Sequence, residues 1–383
     1  MKLRCLLRSF CFCTLLARVS AAEWDVHRFD GRDYVTLESL AAFYGFPKPA
    51  PPTPATAATI AAMFPVAGAA SATEFGITTA ATLAAFSRTI VLDSGPMHFE
   101  VTPGLSEANI NGAKQWLAFP VRIEDGRALV SRLDLSRVIE PRLRPELITG
   151  LQRVTTVVLD PGHGGHDRGA ISRFGFEKDF ALDVALRARV LLEKAGCKVV
   201  MTRATDVFIP LDERPAIANR IPNSIFVSIH FNASSNNADA RGFEIFSIAP
   251  RGAPATNDAR PSDRDLREEP GNAVEIPSGA LAGSVFHALL GQVPMVDRGL
   301  KHARFAVLRQ CERPAVLVEC GFVSNAAESS LISSGTWRGR IAAAVADGVG
   351  NYRALAESGH RPKTIADYRR ASSRLQLRDS ATP

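Results

Sequence analysis

Three apolar, largely β-branched runs in this chain each end in polar residues that can carry acid–base or metal chemistry. These residues stand in the strings Asp160-Pro-Gly-His163-Gly-Gly165, Ser228-Ile-His230-Phe-Asn232 and Val316-Leu-Val-Glu319-Cys-Gly-Phe322. Runs of this kind predict buried strands. Because ligands and catalytic groups of α/β sheets collect at strand ends, the pattern predicts an α/β fold with a chemically active sheet edge.

Two histidines and two glutamates could converge on one ion at this edge. His163, His230 and Glu319 come from the three strings, and Glu177 opens a long amphipathic helix. Imidazole and carboxylate groups are typical ligands of Zn²⁺, and a site with three protein ligands leaves a fourth position for water. The four residues therefore indicate a zinc hydrolase.

Each of these residues also has an interpretation without catalysis. Glu177 could complement the dipole of its helix, and the glycines around His163 could cradle a phosphate, although no Gly-Lys-Ser/Thr follows them. His230 could be a core histidine, and Glu319 could be a buried ion-pair partner. A buried carboxylate is costly unless it is paired or lies near a metal, which favours the functional interpretation.

The length of 383 residues predicts two domains, because one ordinary core rarely accommodates so long a chain. For residues 23–150 we expect a small strand-rich α+β domain, in which Asp30-Gly31, Asn111-Gly112 and Asp125-Gly126 mark tight hairpins. Residues 47–85 are rich in Ala, Pro and Thr and are interpreted as a flexible insertion.

Residues 151–355 alternate strand and helix patterns. This alternation predicts a twisted, mostly parallel sheet with helices on both faces. The predicted helices include Glu177–Ala195, and the predicted strands include Phe305–Leu308. Residues 356–383 are polar and basic, and we expect a disordered tail there, with a short helix that rests on the acidic wall polymer or lipid headgroups as the alternative.

Residues 1–22 have the layout of a secretory signal peptide, with basic residues, a short apolar stretch and then small residues. An uncleaved membrane anchor is the alternative, but the apolar run is shorter than the roughly 20 residues that a span needs. We expect no later transmembrane segment. The protein is therefore expected in the periplasm or outside the cell.

The formal charge of +6 and the pI near 9.1 favour contact with polyanions. No nucleic-acid motif accompanies the basic tail, so we expect no nucleic-acid partner. Three cysteines lie beyond the leader, Cys197, Cys311 and Cys320. We expect buried thiols, with a Cys311–Cys320 pair as the alternative.

Eight strings of the second domain occur in the order and spacing of one enzyme family. They are Leu159-Asp-Pro-Gly-His-Gly-Gly-His-Asp167-Arg-Gly-Ala170, Phe176-Glu-Lys-Asp179, Thr202-Arg203 with Asp206, Leu211 with Arg214, Ala218-Asn219, Ser228-Ile-His-Phe-Asn232-Ala233, Gly242-Phe-Glu244 and Val318-Glu-Cys-Gly-Phe-Val-Ser-Asn325. With these strings, the region Val154–Tyr352 closely resembles the zinc-dependent N-acetylmuramoyl-L-alanine amidases that cut bacterial peptidoglycan.

The resemblance implies that His163, Glu177 and His230 bind one Zn²⁺ and that Glu319 is the catalytic carboxylate. It also implies hydrolysis of the amide bond between N-acetylmuramic acid and L-alanine, for wall remodelling or daughter-cell separation. Peptidoglycan and an activator protein are the partners implied, and we expect a monomer. A zinc peptidase acting on stem peptides and a non-catalytic peptidoglycan-binding protein are the alternatives.

Two further residues are candidates for substrate binding, Asn232 and His166. Asn232 lies two residues beyond His230 and so faces the same side of an extended strand. His166 lies three residues beyond His163. We expect Asp167, Arg203 and Arg214 to be ion-pair or loop-anchoring residues instead.

The segment 251–277 raises a hypothesis of autoinhibition. Some amidases of this family carry a helix in the corresponding insertion that plugs the zinc cleft until an activator binds. In this chain Glu275 or a nearby acid would be the plug. The prolines of the segment disfavour a long helix.

The hairpin region that ends in Gly126-Arg-Ala-Leu-Val-Ser-Arg132-Leu-Asp-Leu loosely resembles the small amino-terminal domain of copper amine oxidases, which is also attached to some bacterial wall enzymes. The resemblance implies a targeting or spacer role. His27 and His98 are isolated in the sequence, so we expect no copper chemistry there.

Overall fold

The computed structural model describes residues 24–49, 89–258 and 261–371. The predicted signal peptide, most of the predicted 47–85 insertion and the end of the tail lie outside the described residues.

The amino-terminal region consists of short antiparallel strands joined by tight turns. Its elements are β1 (Val26–Phe29), β2 (Arg32–Thr36), α1 (Leu37–Tyr44), β3 (Ile90–Asp93), β4 (His98–Val101), β5 (Glu107–Ile110), β6 (Ala113–Trp116), β7 (Arg122–Glu124), β8 (Arg127–Ser131), α2 (Arg132–Asp134), a π-helical turn (Leu135–Ile139), α3 (Glu140–Leu143) and a 3₁₀ turn (Pro145–Leu147). Asp30, Asn111 and Asp125 have positive φ angles, as tight hairpins before glycine require.

The second region alternates strands and helices as predicted. Its elements are β9 (Thr156–Pro161), β10 (Ile171–Ser172), β11 (Gly175–Phe176), α4 (Glu177–Lys194), β12 (Lys198–Met201), α5 (Glu213–Asn219), β13 (Ser224–Asn232), β14 (Phe243–Ile248), 3₁₀ turns (Asp263–Leu266 and Pro270–Val274), α6 (Glu275–Gln292), β15 (Asp297–Ala303), α7 (Ala306–Arg309), β16 (Ala315–Phe322), α8 (Ala326–Ser333) and α9 (Gly335–Ser358).

A ten-stranded mixed sheet connects the two regions, in the order β12-β9-β13-β16-β14-β15-β6-β5-β4-β3. Strands β12, β9, β13 and β16 are parallel, β14 is antiparallel to β16, and β15 is parallel to β14. The α/β fold class is confirmed. The sequence analysis did not predict that β6 pairs with β15 and thereby adds β3–β6 to the same sheet. Strands β1, β2, β8 and β7 form a separate antiparallel sheet.

Helices cover both faces of the ten-stranded sheet. On one face α4, α6 and α9 bury apolar side chains against alternate residues of β9, β13 and β16. On the other face α5 and α7 pack on the intervening residues, such as Phe226 and Leu317. This alternation directs His230 and Glu319 to the α5–α7 face.

Helix α6 corrects the expectation that no later segment could span a membrane. The stretch Pro270–Gln292 is long and apolar enough by composition. However, its side chains Leu281, Val285, Phe286 and Leu289 are buried in the core of this fold. Its packing is that of a core helix in a globular domain.

The predicted strand at Phe305–Leu308 is wrong, because the structure has helix α7 there and β15 directly before it. A short apolar run does not distinguish a strand from a buried helical turn. In the first part of the tail the structure shows the alternative, a helix, and not disorder. Helix α9 continues to Ser358, and a helix over 365–371 buries Ile365 and Tyr368.

The three cysteines beyond the leader are free and buried, which confirms the expected thiols.

Candidate active site

The four predicted site residues meet at one edge of the ten-stranded sheet. His163 lies in the loop after β9, His230 near the end of β13 and Glu319 in β16. Because these strands are parallel, their carboxyl ends share one edge, and His230 lies directly beside Glu319 in register. Glu177 reaches the same place from the start of α4.

His163, Glu177 and His230 form a group that could hold a metal ion. One donor atom from each lies within 4.8 Å of the others. Oε1 of Glu177 is 3.1 Å from Nε2 of His163 and 2.9 Å from Nδ1 of His230. Two imidazole nitrogens and one carboxylate oxygen are a donor set that Zn²⁺ accepts, so the residues fit the expected ion.

Two glycines make room for this group. A Cβ at Gly162 would lie 2.2 Å from Cε1 of His230, and one at Gly169 would lie 2.6 Å from Oε2 of Glu177. Contacts this short do not occur, so a side chain at either position would displace a predicted ligand. Gly162 and Gly169 therefore leave the space in which the predicted ligands meet.

Hydrogen bonds orient the His163 and Glu177 side chains. Nδ1 of His163 lies 2.8 Å from Oδ2 of Asp167, which leaves Nε2 facing Glu177. Glu177 accepts hydrogen bonds from the backbone N–H of Ala170 at 2.8 Å and of Phe231 at 3.1 Å. Burial opposes its ionisation, but the bonds from His163 and His230 hold the pKa of Glu177 well below its usual range.

Two buried arginines fix the loop that carries His163. Arg203 donates to the carbonyls of Pro161 at 3.0 Å and Gly162 at 2.6 Å. Arg214 donates to the carbonyl of His163 at 2.8 Å and pairs with Asp160 at 3.0 Å. The loop-anchoring role predicted for both arginines is confirmed.

Among the described residues, Glu319 lacks the hydrogen-bond partners that surround Glu177. Its Oε2 is buried and has no hydrogen-bond partner in the part of the chain that the structure describes. Burial, together with the negative charges of Glu177 and Glu244, raises the pKa of Glu319 well above its ordinary value. A carboxyl group with a raised pKa beside a metal-binding group is suited to proton transfer. Cys320 faces the opposite, helix-covered side of β16.

A second charged group adjoins Glu319, and the sequence analysis assigned no role to its residues. Glu244 of β14 lies directly beside Glu319 in register and is buried. Its Oε2 accepts hydrogen bonds from Nζ of Lys301 at 2.6 Å and Nε of Arg298 at 2.9 Å. Its Oε1 accepts one from Nδ2 of Asn232 at 3.0 Å. The available signal was a carboxylate inside the otherwise apolar strand β14.

A cleft of about 250 Å³ opens over these residues. Its lining residues are His163, Ala170, Glu177, His230, Phe231, Asn232, Ala233, Phe305, Leu317 and Glu319. The structure thus brings all four predicted site residues and Asn232 to one cleft.

The other candidates lie elsewhere. His166 is exposed, packs on the Phe208 ring at 4.3 Å between centroids and is not among the cleft-lining residues. Glu275 pairs with Arg137 at 3.1 Å, and no described residue of 251–277 lines the cleft. The structure contradicts Glu275 as a plug, because its carboxylate is already bound at the amino terminus of α6.

Comparisons with known proteins point to one family. Residues 157–351 match the sequence profile described as N-acetylmuramoyl-L-alanine amidase. The amidase AmiC of Escherichia coli O6:H1 (strain CFT073) is 32% identical over 225 residues, which cover 53% of this chain and 54% of that protein. The amidase AmiA of Escherichia coli (strain K12) is 34% identical over 218 residues, covering 51% of this chain and 75% of AmiA.

A solved structure, the catalytic domain of the amidase CwlV from Bacillus (Paenibacillus) polymyxa var. colistinus, is 30% identical. It covers 52% of this chain and 98% of that domain, with a TM-score of 0.44. The chain spans about half the length of its AmiC relative. By the match over 157–351, the chain belongs to the N-acetylmuramoyl-L-alanine amidase family.

Proposed function

We propose that this chain is an exported Zn²⁺-dependent enzyme that hydrolyses the amide bond between N-acetylmuramic acid and L-alanine in peptidoglycan. One observation carries the proposal. His163, Glu177 and His230 converge in a cleft beside Glu319, whose buried Oε2 has no partner among the described residues. The relatives named as amidases of this bond support the choice of substrate.

In this proposal His163, Glu177 and His230 hold one Zn²⁺ ion. When bound, the ion supplies a Lewis acid that polarises the scissile carbonyl and lowers the pKa of a water molecule. Asp167 keeps the His163 ring oriented by its hydrogen bond to Nδ1. Arg203 and Arg214 keep the loop backbone in place, so the ligands need little rearrangement.

Glu319 moves the proton in this proposal. Its carboxylate takes a proton from the attacking water and then donates it to the departing amide nitrogen. An amine is a poor leaving group without that proton. The raised pKa of Glu319 favours a carboxyl group that holds the proton between the two steps.

We further propose that the protein acts in the periplasm or outside the cell, as a monomer with peptidoglycan as its partner. The net charge of +6 suits an acidic wall polymer. In this organisation residues 23–150 form the amino-terminal module and residues 151–355 the catalytic domain. An activator protein stays a prediction.

The test is to incubate the mature protein with purified peptidoglycan, with and without a chelator, and to identify the products by mass spectrometry. Free stem peptides and peptide-free glycan strands, lost with the chelator and restored by Zn²⁺, are the expected products. Cuts inside the stem peptide would assign a peptidase instead. Binding without any metal-dependent product would assign a non-catalytic wall-binding protein.

A further inference from the structure

Arg298 lies next to the cleft. Its Nε is held by Glu244, and its two terminal nitrogens are available to bind another group. Its Nε donates to Glu244, and its guanidinium group stacks over the Phe322 ring at 4.7 Å from the centroid. The Arg298 side chain keeps 33% of its surface exposed. Its two terminal nitrogens make no hydrogen bond to any residue that the structure describes.

Glu244 brings one negative charge to two cations. One carboxylate serves both Lys301 and Arg298. The Lys301 side chain is buried and its Nζ lies 2.6 Å from Oε2 of Glu244, so Lys301 already neutralises that group. Among these three groups one positive charge is left over, on the more exposed partner, Arg298.

Burial raises the pKa of Glu328, and the positive charge of Arg298 opposes that rise. However, the Glu328 carboxylate accepts its hydrogen bonds from the backbone N–H groups of Gly242 and Phe322. This leaves the terminal nitrogens of Arg298 available.

Arg298 is close to the proposed reaction centre. Glu244 connects it to Asn232, which lines the cleft, and Glu244 lies beside Glu319 in register. Phe322, on which Arg298 stacks, pairs with Asn232 across β16 and β13. A substrate group that meets Arg298 therefore lies near the bond that is cut.

We propose that Arg298 binds a free carboxylate of the stem peptide, on the acidic residue that follows the alanine of the scissile bond; this inference rests on the proposed function. A planar guanidinium with two free nitrogens matches a carboxylate with two parallel hydrogen bonds. The bond to Glu244 and the stacking on Phe322 hold that plane in place before substrate arrives. Arg298 is then a specificity-determining residue, which favours stem peptides whose acidic residue is not amidated.

The test uses two synthetic muramyl peptides that differ only in this group, a free carboxylate in one and its amide in the other. The wild-type enzyme should cleave the carboxylate form with a kcat/KM about ten- to a hundredfold higher, as expected for hydrogen bonds to a charged group. Arg298→Gln keeps a hydrogen-bond donor for Glu244 but lacks the positive charge and the paired N–H donors of the guanidinium group. It should lose the preference, mainly through a higher KM for the carboxylate form, and reduce kcat/KM for the amide form far less than for the carboxylate form.

Arg298→Lys should retain only part of the preference, because an ammonium group lacks the planar fork. Arg241→Gln is the matched control, since Arg241 is an exposed arginine just before β14 that forms no hydrogen bond with Glu244. Its preference should equal that of the wild type.

Three results would overturn the inference. The wild type could cleave both peptides equally, Arg298→Gln could lower both rates equally as a structural defect would, or Arg241→Gln could remove the preference. Cleavage of neither peptide by the wild type, despite bound Zn²⁺, would overturn the proposed function itself and the inference with it.

Discussion

Two buried glutamates flank Glu319 at the edge of the sheet, and their partners differ. Glu177 lies between two histidines, at 3.1 and 2.9 Å. Glu244 lies between an arginine and a lysine, at 2.9 and 2.6 Å. Both carboxylates are compensated, as burial of a charge requires.

The two groups differ in whether the partners of the glutamate have nitrogen lone pairs that can bind a metal ion. A neutral imidazole keeps a lone pair that can bind a cation, whereas guanidinium and ammonium groups have only donors. The group around Glu177 can therefore hold a metal ion, and the group around Glu244 can only neutralise charge or attract an anion. Glu319 lies between a cation-binding side and an anion-binding side, which suits hydrolysis of a substrate that carries a carboxylate.

The largest expected effect comes from removing an imidazole of the first group. His163→Ala or His230→Ala should abolish metal-dependent release of stem peptides, because two remaining ligands bind zinc too weakly. Zinc content per chain, measured by atomic absorption, should fall with the activity. His98→Ala is the control, since this histidine pairs with Asp93 in the amino-terminal region. A stoichiometric metal content in both active-site variants would disprove the ligand assignment.

Glu319→Gln should separate metal binding from turnover. We expect kcat to fall by about 10²–10⁴-fold, the usual contribution of a general acid–base, while zinc content stays at the wild-type level. Cys320→Ala changes the adjacent buried residue on the opposite side of β16 and should keep turnover within a few-fold of the wild type. If Glu319→Gln retains most of its activity, the proton must move through another residue.

Glu244→Gln should destabilise the second group without removing a proposed metal ligand. It leaves buried Lys301 without its counter-charge, and breaking a buried pair in this way costs about 3–5 kcal/mol of the free energy of unfolding. Urea unfolding measures this cost, and zinc content should not change. Glu193→Gln breaks an exposed pair with Arg189 and should cost at most about 1 kcal/mol. Equal costs would mean that the Glu244 group is no more important than a surface pair.

The first group could be predicted from the sequence and the second could not. His163 and His230 follow apolar strands and Glu177 opens a long helix, so these patterns marked them as candidates, and the family resemblance implied their roles as ligands. Strand β15 (Asp297–Ala303) contains an arginine and a lysine, and their place in the sheet depends on Glu244, which accepts a hydrogen bond from each. Local composition does not reveal a pairing between residues that are far apart in the chain.

The same limitation explains the amino-terminal strands. Short strands and their turns were visible in the sequence from dipeptides such as Asn111-Gly112. However, the pairing of Gln115 with Leu300, which extends the catalytic sheet, joins two segments with no local signal for each other. The centroid of the Trp116 ring, on this same strand, lies 5.5 Å from Nζ of Lys301, so the amino-terminal region borders the second charged group.

The smallest expected effect is that of Glu319 on the free energy of unfolding of the protein. In the metal-free protein at neutral pH, Glu319→Gln should raise the free energy of unfolding by about 1–2 kcal/mol. The carboxyl group is ionised in the unfolded chain, so folding must either protonate it or bury its charge, whereas glutamine is neutral in both states. The raised pKa of Glu319 means that the folded protein holds this proton more tightly than the unfolded chain does. Stability of the wild type therefore falls as pH rises above the ordinary carboxyl pKa, and the gain in the variant should vanish as pH falls below it. Urea unfolding at several pH values measures this dependence, with exposed Glu312→Gln as the control. A loss of stability in Glu319→Gln at neutral pH would contradict this prediction. It would show that the carboxylate of Glu319 is compensated in the folded protein, as the carboxylates of Glu177 and Glu244 are.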